Sequence, residues 1–344
     1  ASIYAYDDPG LYIIPGFVDI HCHGGGGVWS FEDPHTFATF HLRHGTTSIL
    51  PTLIYNQSHD EIMESLAAIC SVMDKQRTSI IGIHLEGPYI NPKYGAITAP
   101  IRAVNAAEYK EILALAGKRI KLWTLAPELE GQRKFMEEAA AYGITFSVGH
   151  SEAPPDVIFA SVRLGLKVGC HLTNASGTTP NKPRFAGTRE VGVHEAVMLH
   201  DEMYAEVIPD RKGIHVRPLM LRLIVKTKGA DRVIIVTDAM NMTGSKAGSD
   251  VNLIPATEYT PNGVQRDILA GSLLTMDRAV HNMRIHTGIG WVDACKMASL
   301  NPAKVLKMDG LIGSLERGKQ ANLLVVTENV EVQQVMMEGE FIDF

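Results

Sequence analysis

Eight short apolar segments, most of them followed by an amphipathic segment, constrain the fold of this 344-residue chain more than any other feature. Each is rich in branched or aromatic residues and is bounded by Gly, Pro or polar residues, as buried strands are. They are Phe17, Val18 and Ile20, then 46–51, 79–85, 120–125, 144–148, 166–170, 203–208 and 232–236. About eight repeats of strand and helix predict an α/β fold, the (β/α)8 TIM barrel.

The segments between these strands predict helices, loops and a small C-terminal sheet. Helices are predicted over 33–44, 56–75, 106–117, 130–142, 155–164, 217–228, 271–287 and 292–306. Residues 178–188 read as a long loop, because Pro, Gly and Thr dominate them. A segment that leaves the regular strand and helix pattern, with a Pro-Asn-Gly turn, is predicted over 258–269. The C-terminal tail is predicted to form short strands.

Polar residues that can bind a metal follow six of the positions where strands end. They are His21, His23, Glu86, His150, His171 and Asp238. Active sites of this barrel lie at the carboxyl ends of its strands. A single histidine at such a position is often a packed residue, and an acid there can cap a turn. Because six such residues share one end of the predicted barrel, they favour a functional site.

His21 and His23 lie two residues apart at the end of the first strand, so both side chains point to one face. Imidazoles suit zinc, iron and similar ions, and a carboxylate can bridge two of them. A bound metal polarises a carbonyl group and lowers the pKa of water towards about 7. Asp238 follows an apolar strand and is the candidate for the base that moves the proton.

The bulk composition restricts the partners of the chain. A net charge of −6 argues against a nucleic-acid or anionic-membrane surface. No apolar run approaches the length of a membrane span. The four cysteines are widely scattered, which predicts reduced thiols and a cytoplasmic location.

An ordered series of motifs covers nearly the whole chain. They are PGFVDIHCHG (15–24), HLEGPYINP (84–92), APE (126–128), VGHSEA (148–153), HLTNA (171–175), GIHV (213–216), VTDAM (236–240), LAGS (269–272), NPA (301–303) and GSLERGKQANLLVV (313–326). In this order the chain resembles the N-acetylglucosamine-6-phosphate deacetylases, a family of the amidohydrolase superfamily. The resemblance implies a barrel of the metal-dependent amidohydrolase type with a small β-sandwich appendage. It also implies hydrolysis of the N-acetyl group of an amino-sugar 6-phosphate.

The resemblance assigns the candidate metal and catalytic residues. Glu86, His150 and His171 match the ligands of the principal metal. His21 and His23 match a second site that shares Glu86, and some relatives lack this pair, so one or two divalent ions are expected. Zinc is the first expectation, and iron, manganese, cobalt or nickel would also suit these ligands. Asp238 matches the acid/base.

The resemblance also assigns the substrate contacts. Residues that match positions in contact with the sugar, its phosphate or its acyl group are Ala96, Ile97, Asn174, Ala175, Arg189, His215, Leu269, Ala270 and Gly271. Arg189 and His215 are expected to reach across from the partner subunit of a homodimer with shared active sites. A guanidinium suits this role, because its planar donors match the geometry of a phosphate.

Four departures from the family pattern fall in these substrate loops. Ile97 stands where relatives have a histidine that donates to the acetyl carbonyl, and losing such a donor commonly costs about 2.7–4 kcal/mol. The family's Asn-Ala-Met and Arg-Glu-Pro-Gly read NASG (174–177) and REVG (189–192), and the loop 208–213 is longer and more basic. The reaction class is therefore better supported than the substrate.

Two other functions stay open. A related enzyme could deacylate another N-acyl amino sugar, such as N-acetylgalactosamine-6-phosphate, or another N-acyl amine. The second alternative is a barrel that binds a metal or another ligand without catalysis.

The predicted division of the chain places a remnant of the small β domain at 1–14, the catalytic barrel at 15–308 and the C-terminal strands of the small domain at 309–344. Because relatives begin with several strands before the barrel, two alternatives stay open for the N-terminus, a truncated or partly ordered chain and a reduced small domain.

Overall fold

The computed structural model of the chain describes residues 10–75, 77–96, 101–180, 182–245, 249–259 and 265–344. Within them the eight predicted strands form one parallel sheet. Its members are β2 (Phe17–Cys22), β5 (Thr46–Leu53), β6 (Ile83–Glu86), β7 (Ile120–Leu125), β8 (Thr145–Val148), β9 (Leu166–Gly169), β10 (Tyr204–Val207) and β11 (Val233–Ile235). Neighbours in the sequence are neighbours in the sheet, from β2 to β11.

The sheet closes on itself between its first and last strands. Cys22 and Ala239 form a parallel bridge, and the backbone N–H of Asp238 donates to the carbonyl of His21 at 2.8 Å. The N–H of His23 donates to the Ala239 carbonyl at 2.9 Å. The predicted (β/α)8 barrel is therefore confirmed.

Each barrel strand is followed by a helix that packs its apolar side against the sheet. These helices are α1 (Pro34–Arg43), α2 (His59–Lys75), α3 (Ala106–Ala116), α4 (Gln132–Ala140), α5 (Pro155–Val162), α6 (Val193–Leu199), α7 (Pro218–Lys228) and α8 (Met276–Thr287). Seven of them lie where a helix was predicted. The sequence analysis missed α6, because it spans only seven residues after a segment rich in Gly, Pro and Thr.

Two predicted elements near the C-terminus differ from the structure. The helix predicted over 271–287 begins only at Met276, because Gln265–Ser272 is strand β13 and pairs with β12 (Val251–Tyr259). The predicted turn of this hairpin, at 261–263, lies outside the described residues. The helix predicted over 292–306 divides into α9 (Trp291–Cys295), a π turn (Lys296–Leu300) and α10 (Asn301–Val305).

A four-stranded antiparallel sheet lies beside the barrel. It contains β1 (Leu11–Pro15), β14 (Leu323–Thr327), β15 (Val332–Met337) and β16 (Glu340–Phe341), with β1 at one edge. The register pairs Leu11 with Thr327 and Pro15 with Leu323. Residues 1–9 lie outside the described part of the chain, and the domain boundaries stay a prediction.

A short ribbon covers the mouth of the barrel next to β2. It pairs β3 (Gly24–Gly25) with β4 (Val28–Trp29). Gly24 is required here, because a side chain on it would meet the backbone of Asn241 at 2.7 Å. Among the described helices, none combines the length and the apolar character that a membrane crossing demands.

Candidate metal centre

The six predicted residues converge at the carboxyl ends of the barrel strands. Glu86, the last residue of β6, is at the middle of the group. Its Oε1 lies 3.1 Å from Nε2 of His150 and 3.3 Å from Nε2 of His171. These two imidazole nitrogens are 3.1 Å from each other. One carboxylate oxygen therefore faces a pair of histidines that come from two different strands.

The other half of the centre comes from β2 and from the end of β11. The Nε2 atoms of His21 and His23 lie 3.8 and 3.4 Å from the Glu86 carboxylate. The same two atoms lie 3.5 and 3.2 Å from Oδ1 of Asp238. Glu86 thus stands between the two histidine pairs, and Asp238 faces only the pair from β2.

Burial and mutual attraction set the protonation of the acids. Burial would raise the pKa of Glu86, but the hydrogen bonds from His150, His171 and His23 hold this pKa well below its usual range. Burial also opposes ionisation of Asp238, yet the nearby His21 and His23 lower the pKa of its carboxyl. Both acids are therefore carboxylates at neutral pH, ready to face a cation.

Hydrogen bonds on the far side of three imidazoles direct their Nε2 atoms into the centre. Nδ1 of His21 donates to Glu206 at 2.7 Å, and Nδ1 of His23 donates to the Thr52 carbonyl at 3.1 Å. Nδ1 of His150 donates to the Tyr94 carbonyl at 3.3 Å. A ring that donates through Nδ1 keeps the lone pair of Nε2 free for a ligand bond.

The donor set fits a divalent transition metal. Nε2 of His21 is fully buried and has no hydrogen-bond partner among the described residues. Among the described residues, three groups of three side chains place one ligand atom each within 4.8 Å of one another, namely His21, His23 and Glu86, then Glu86, Cys170 and His171, and then His21, Cys170 and Glu206. Imidazole nitrogens and carboxylate oxygens are the ligands that zinc and its neighbours take in catalytic sites.

The backbone is unusual at three of the predicted site residues. His171, Ala175 and Asp238 have φ angles of 24°, 47° and 50°, a region that residues other than glycine rarely adopt. Strain of this kind concentrates at functional sites, where the surrounding hydrogen bonds hold it. The sequence carries no signal for it.

A cavity of about 650 Å³ opens directly above the centre. Most of the predicted substrate residues line it, namely Ala96, Asn174, Ala175, His215, Leu269, Ala270 and Gly271. Trp29, Phe31 and Tyr55 also line this cavity, and the sequence analysis did not select them. Aromatic walls with a few convergent polar groups are typical of sites for small molecules.

His215 is fixed inside its own chain. It is 4% exposed and its Nδ1 donates to Asp210 at 2.9 Å, while its Nε2 donates to the Gly271 carbonyl at 3.1 Å. The expectation that His215 reaches across from a partner subunit is corrected here, because this side chain already lines the cavity of its own chain.

One predicted substrate residue of the described part of the chain is not in the cavity wall. Arg189 has an 85% exposed side chain that forms an ion pair with Glu195 on α6. Ile97 lies outside the described residues, so its predicted place beside the acyl group stays a prediction.

Two buried acids of the site were not identified from the sequence. Glu206 lies in β10 and Asp210 four residues later, and each holds a histidine of the site. The available signal for Glu206 was a single acid within an otherwise apolar strand, Tyr204–Val207.

Comparisons with known proteins agree with this arrangement. The model of the amidohydrolase family matches residues 12–342. The N-acetylglucosamine-6-phosphate deacetylase of Bacillus subtilis (strain 168) is 31% identical over 346 residues, covering 95% of this chain and 83% of that protein. The N-acetylgalactosamine-6-phosphate deacetylase of Escherichia coli O157:H7 is 29% identical over 346 residues, covering 96% and 88%.

A solved structure of a deacetylase is also similar to this chain in its fold. A mutant N-acetyl-D-glucosamine-6-phosphate deacetylase from Mycobacterium smegmatis, in complex with N-acetyl-D-glucosamine-6-phosphate, has a TM-score of 0.80 to this chain. The two are 28% identical, and the match covers 96% of this chain and 87% of that one.

Proposed function

Since this chain belongs to the amidohydrolase family, we propose that it hydrolyses the N-acetyl group of N-acetylglucosamine-6-phosphate to glucosamine-6-phosphate and acetate. The names of its relatives support this substrate. The observation that carries the reaction is the buried Glu86 carboxylate between two histidine pairs, with Asp238 at 3.2 Å from His23. The family resemblance predicted from the sequence is confirmed, and the chain is a hydrolase of amide bonds.

The proposed metal ligands follow the two halves of the centre. Glu86, His150 and His171 would hold the principal ion, and His21 and His23 would hold a second ion together with Glu86. Zinc is the proposed metal, because borderline ions favour imidazole and carboxylate ligands, and iron, manganese, cobalt or nickel would suit the same donors. When bound, a divalent ion polarises the acyl carbonyl and makes water a stronger nucleophile at neutral pH.

Asp238 is the proposed acid/base of the reaction. Its depressed pKa keeps the carboxylate able to accept a proton from the attacking water. The oxygen of that water forms a bond to the acyl carbon. Asp238 then returns the proton to the nitrogen as the C–N bond breaks, which releases acetate and a free amine.

The substrate residues divide the cavity into an acyl side and a phosphate side. His215, held in place by Asp210, would lie against the sugar phosphate next to Asn174 and Ala175. Leu269, Ala270 and Gly271 would contact the sugar and its acyl group, as would Ala96 and Ile97 on the other side.

Arg189 would complete the phosphate site from the partner subunit of a homodimer. Its exposed guanidinium, outside the cavity of its own chain, supports this placement. We also propose a cytoplasmic location, which the four unpaired cysteines support.

Steady-state kinetics with the metal content of the same sample test the proposal. The panel contains N-acetylglucosamine-6-phosphate, N-acetylgalactosamine-6-phosphate and both sugars without phosphate. We expect the highest kcat/KM on the glucosamine derivative, and a sample stripped of metal should lose activity. A fully loaded protein that turns over none of the four compounds would rule the function out.

The galactosamine epimer is the second candidate substrate. A relative that is named for this activity matches 96% of the chain at 29% identity. A kcat/KM that is higher for N-acetylgalactosamine-6-phosphate would replace the first candidate with this one.

A further inference from the structure

Glu206 is a fully buried acid that the proposed reaction does not use. It lies on β10, and its Oε1 contacts both halves of the metal centre. This oxygen accepts a hydrogen bond from Nδ1 of His21 at 2.7 Å and one from the backbone N–H of His171 at 3.1 Å. A single carboxylate therefore touches one residue of the proposed second metal site and one of the principal site.

The contact with His21 decides which nitrogen of that ring faces the cavity. Because Oε1 of Glu206 accepts from this ring, the ring proton lies on Nδ1. The lone pair then lies on Nε2, which is buried, lies 3.5 Å from Asp238 and has no hydrogen-bond partner in the described part of the chain. A carboxylate behind a metal-binding histidine orients the ring and makes it a stronger ligand.

The contact with His171 supports a strained part of the chain. His171 has a φ of 24°, and the bond from its N–H to Glu206 holds that conformation. The carbonyl of Glu206 also accepts from the N–H of Leu172 at 2.8 Å. The side chain and the backbone carbonyl of Glu206 thus both fix the turn that places the His171 ring beside Glu86.

Glu206 adds a third buried carboxyl group to the surroundings of the centre, beside Glu86 and Asp238. Its Oε2 has no hydrogen-bond partner among the described residues. The contacts of Glu206 with the centre therefore run through Oε1 and the backbone carbonyl.

We propose that Glu206 is a positioning residue of the metal centre, which orients His21 through Nδ1 and His171 through its backbone. The inference rests on the metal centre of the proposed function. It extends that function by making occupancy of the second site depend on a residue that touches neither the ion nor the substrate.

Metal binding without substrate tests the inference separately from the reaction. Zn²⁺ is titrated into the metal-free protein in competition with a chromophoric chelator, and the bound metal is counted by elemental analysis. Glu206→Gln keeps the shape of the side chain and removes its charge. We expect the affinity of the weaker site to fall about 10–100-fold, as losses of such supporting partners do. Wild-type affinity at both sites would overturn the inference, whether or not the protein deacetylates any substrate.

The matched control is Asp210→Asn. Asp210 is equally buried and follows the same strand, but it supports His215 instead of a metal-centre histidine. Its loss should leave both zinc affinities unchanged. If the zinc affinity of Asp210→Asn falls as much as that of Glu206→Gln, the loss comes from general damage to the protein. That result would contradict a specific role of Glu206.

A second measurement needs no variant of Glu206. The ¹⁵N NMR spectrum of the zinc-loaded wild-type protein, with the His21 signal assigned from His21→Ala, reports which ring nitrogen carries the proton. We expect a protonated Nδ1 that exchanges slowly with solvent. A proton on Nε2 would overturn the inference even if Glu206→Gln fails to fold.

Discussion

At the scale of single residues, three of the four histidines of the centre are directed by different acceptors. His21 is held by a carboxyl group, and His23 and His150 are held by backbone carbonyls. Only the first of these acceptors is a side-chain acid. The two sites therefore differ in how strongly the protein makes their imidazoles basic, which favours unequal affinity for metal.

Asp238→Asn removes the proposed acid/base and keeps nearly the same shape. We expect kcat to fall about 10²–10⁴-fold, because this is the usual contribution of a positioned acid or base. The metal content should stay at the wild-type value. Turnover within tenfold of wild type, measured on N-acetylglucosamine-6-phosphate, would remove Asp238 from this role.

Asp210→Asn weakens the support of His215. The carboxylate of Asp210 accepts from Nδ1 and from the backbone N–H of His215, so its loss frees the ring. We expect kcat/KM for phosphorylated sugars to fall about tenfold, the cost of roughly one charged hydrogen bond. The unphosphorylated sugar should lose less.

The matched control for that prediction is Asp250→Asn. Asp250 is buried nearby and pairs with Arg278 without touching His215. It should leave the preference for phosphorylated sugars unchanged. Equal losses on both kinds of substrate in Asp210→Asn would disconnect His215 from the phosphate.

His41 makes the stability of the chain depend on pH. Burial lowers the pKa of this ring to about 4, while Nε2 donates to the Gly24 carbonyl and Nδ1 is buried without a partner among the described residues. Between pH 6.5 and 4 the His41 ring binds a proton in the unfolded chain but not in the folded chain. The free energy of unfolding therefore falls as the pH drops from 6.5 to 4, by about 3 kcal/mol for this group.

His41→Gln tests this sign, because glutamine can still donate to Gly24 but does not titrate. Urea unfolding at several pH values should show a slope that is smaller by about 1.4 kcal/mol per pH unit between pH 4 and 6.5. His35→Gln, on the exposed side of the same helix, is the control and should keep the wild-type slope. An unchanged slope in His41→Gln would contradict the assignment.

The sequence predicted site residues at or just after the ends of strands and missed Glu206, which lies inside one. His150, His171 and Asp238 follow apolar runs, where a polar residue stands out and the barrel gives it a known position. Glu206 lies inside β10, so its inward direction depends on the register of the sheet. The positive φ of His171 follows from tertiary hydrogen bonds, which no local pattern records.

At the scale of elements, polar contacts decide where helices begin and end. The π turn Lys296–Leu300 precedes Asn301, whose side-chain amide donates to the carbonyls of Ala230 and Val233 at 2.7 and 2.8 Å. These bonds tie the last helices to the base of β11. The sequence predicted one continuous helix here, because the apolar period alone does not show that such an anchor exists.

The N-cap of α1 offers a test at this scale. The carboxylate of Asp33 accepts from the backbone N–H of Thr36 at 3.0 Å and from its hydroxyl at 2.7 Å. Asp33→Ala should lower the free energy of unfolding by about 1 kcal/mol, since two donors at the start of the helix lose their partner. Asp33→Asn retains a good cap, so urea unfolding should show a smaller loss. Equal losses in both variants would argue against capping.

At the scale of the whole molecule, the metal centre joins strands from all parts of the barrel. Ions bound to it should therefore stabilise the entire fold. At a free zinc concentration of 100–1,000 times Kd, we expect about 3–4 kcal/mol of added stability. For a chain of this length, each kcal/mol raises Tm by about 1–2 °C.

Thermal unfolding with and without a chelator measures this stabilisation. The variant that replaces both His21 and His23 by Ala should keep only the part that comes from the principal ion. A Tm that does not change on metal removal would mean that the centre binds no ion in the folded state.

The contact that closes the barrel, between β2 and the segment after β11, can form only after both segments have been synthesised. Thr237 donates to Asp19 at 2.6 Å across 218 positions of the sequence, beside the bridge between Cys22 and Ala239. At about 5–20 residues per second, the ribosome needs about 10–40 s to supply the second partner after the first. During that time β2 has one open edge, which is the kind of edge that recruits other chains.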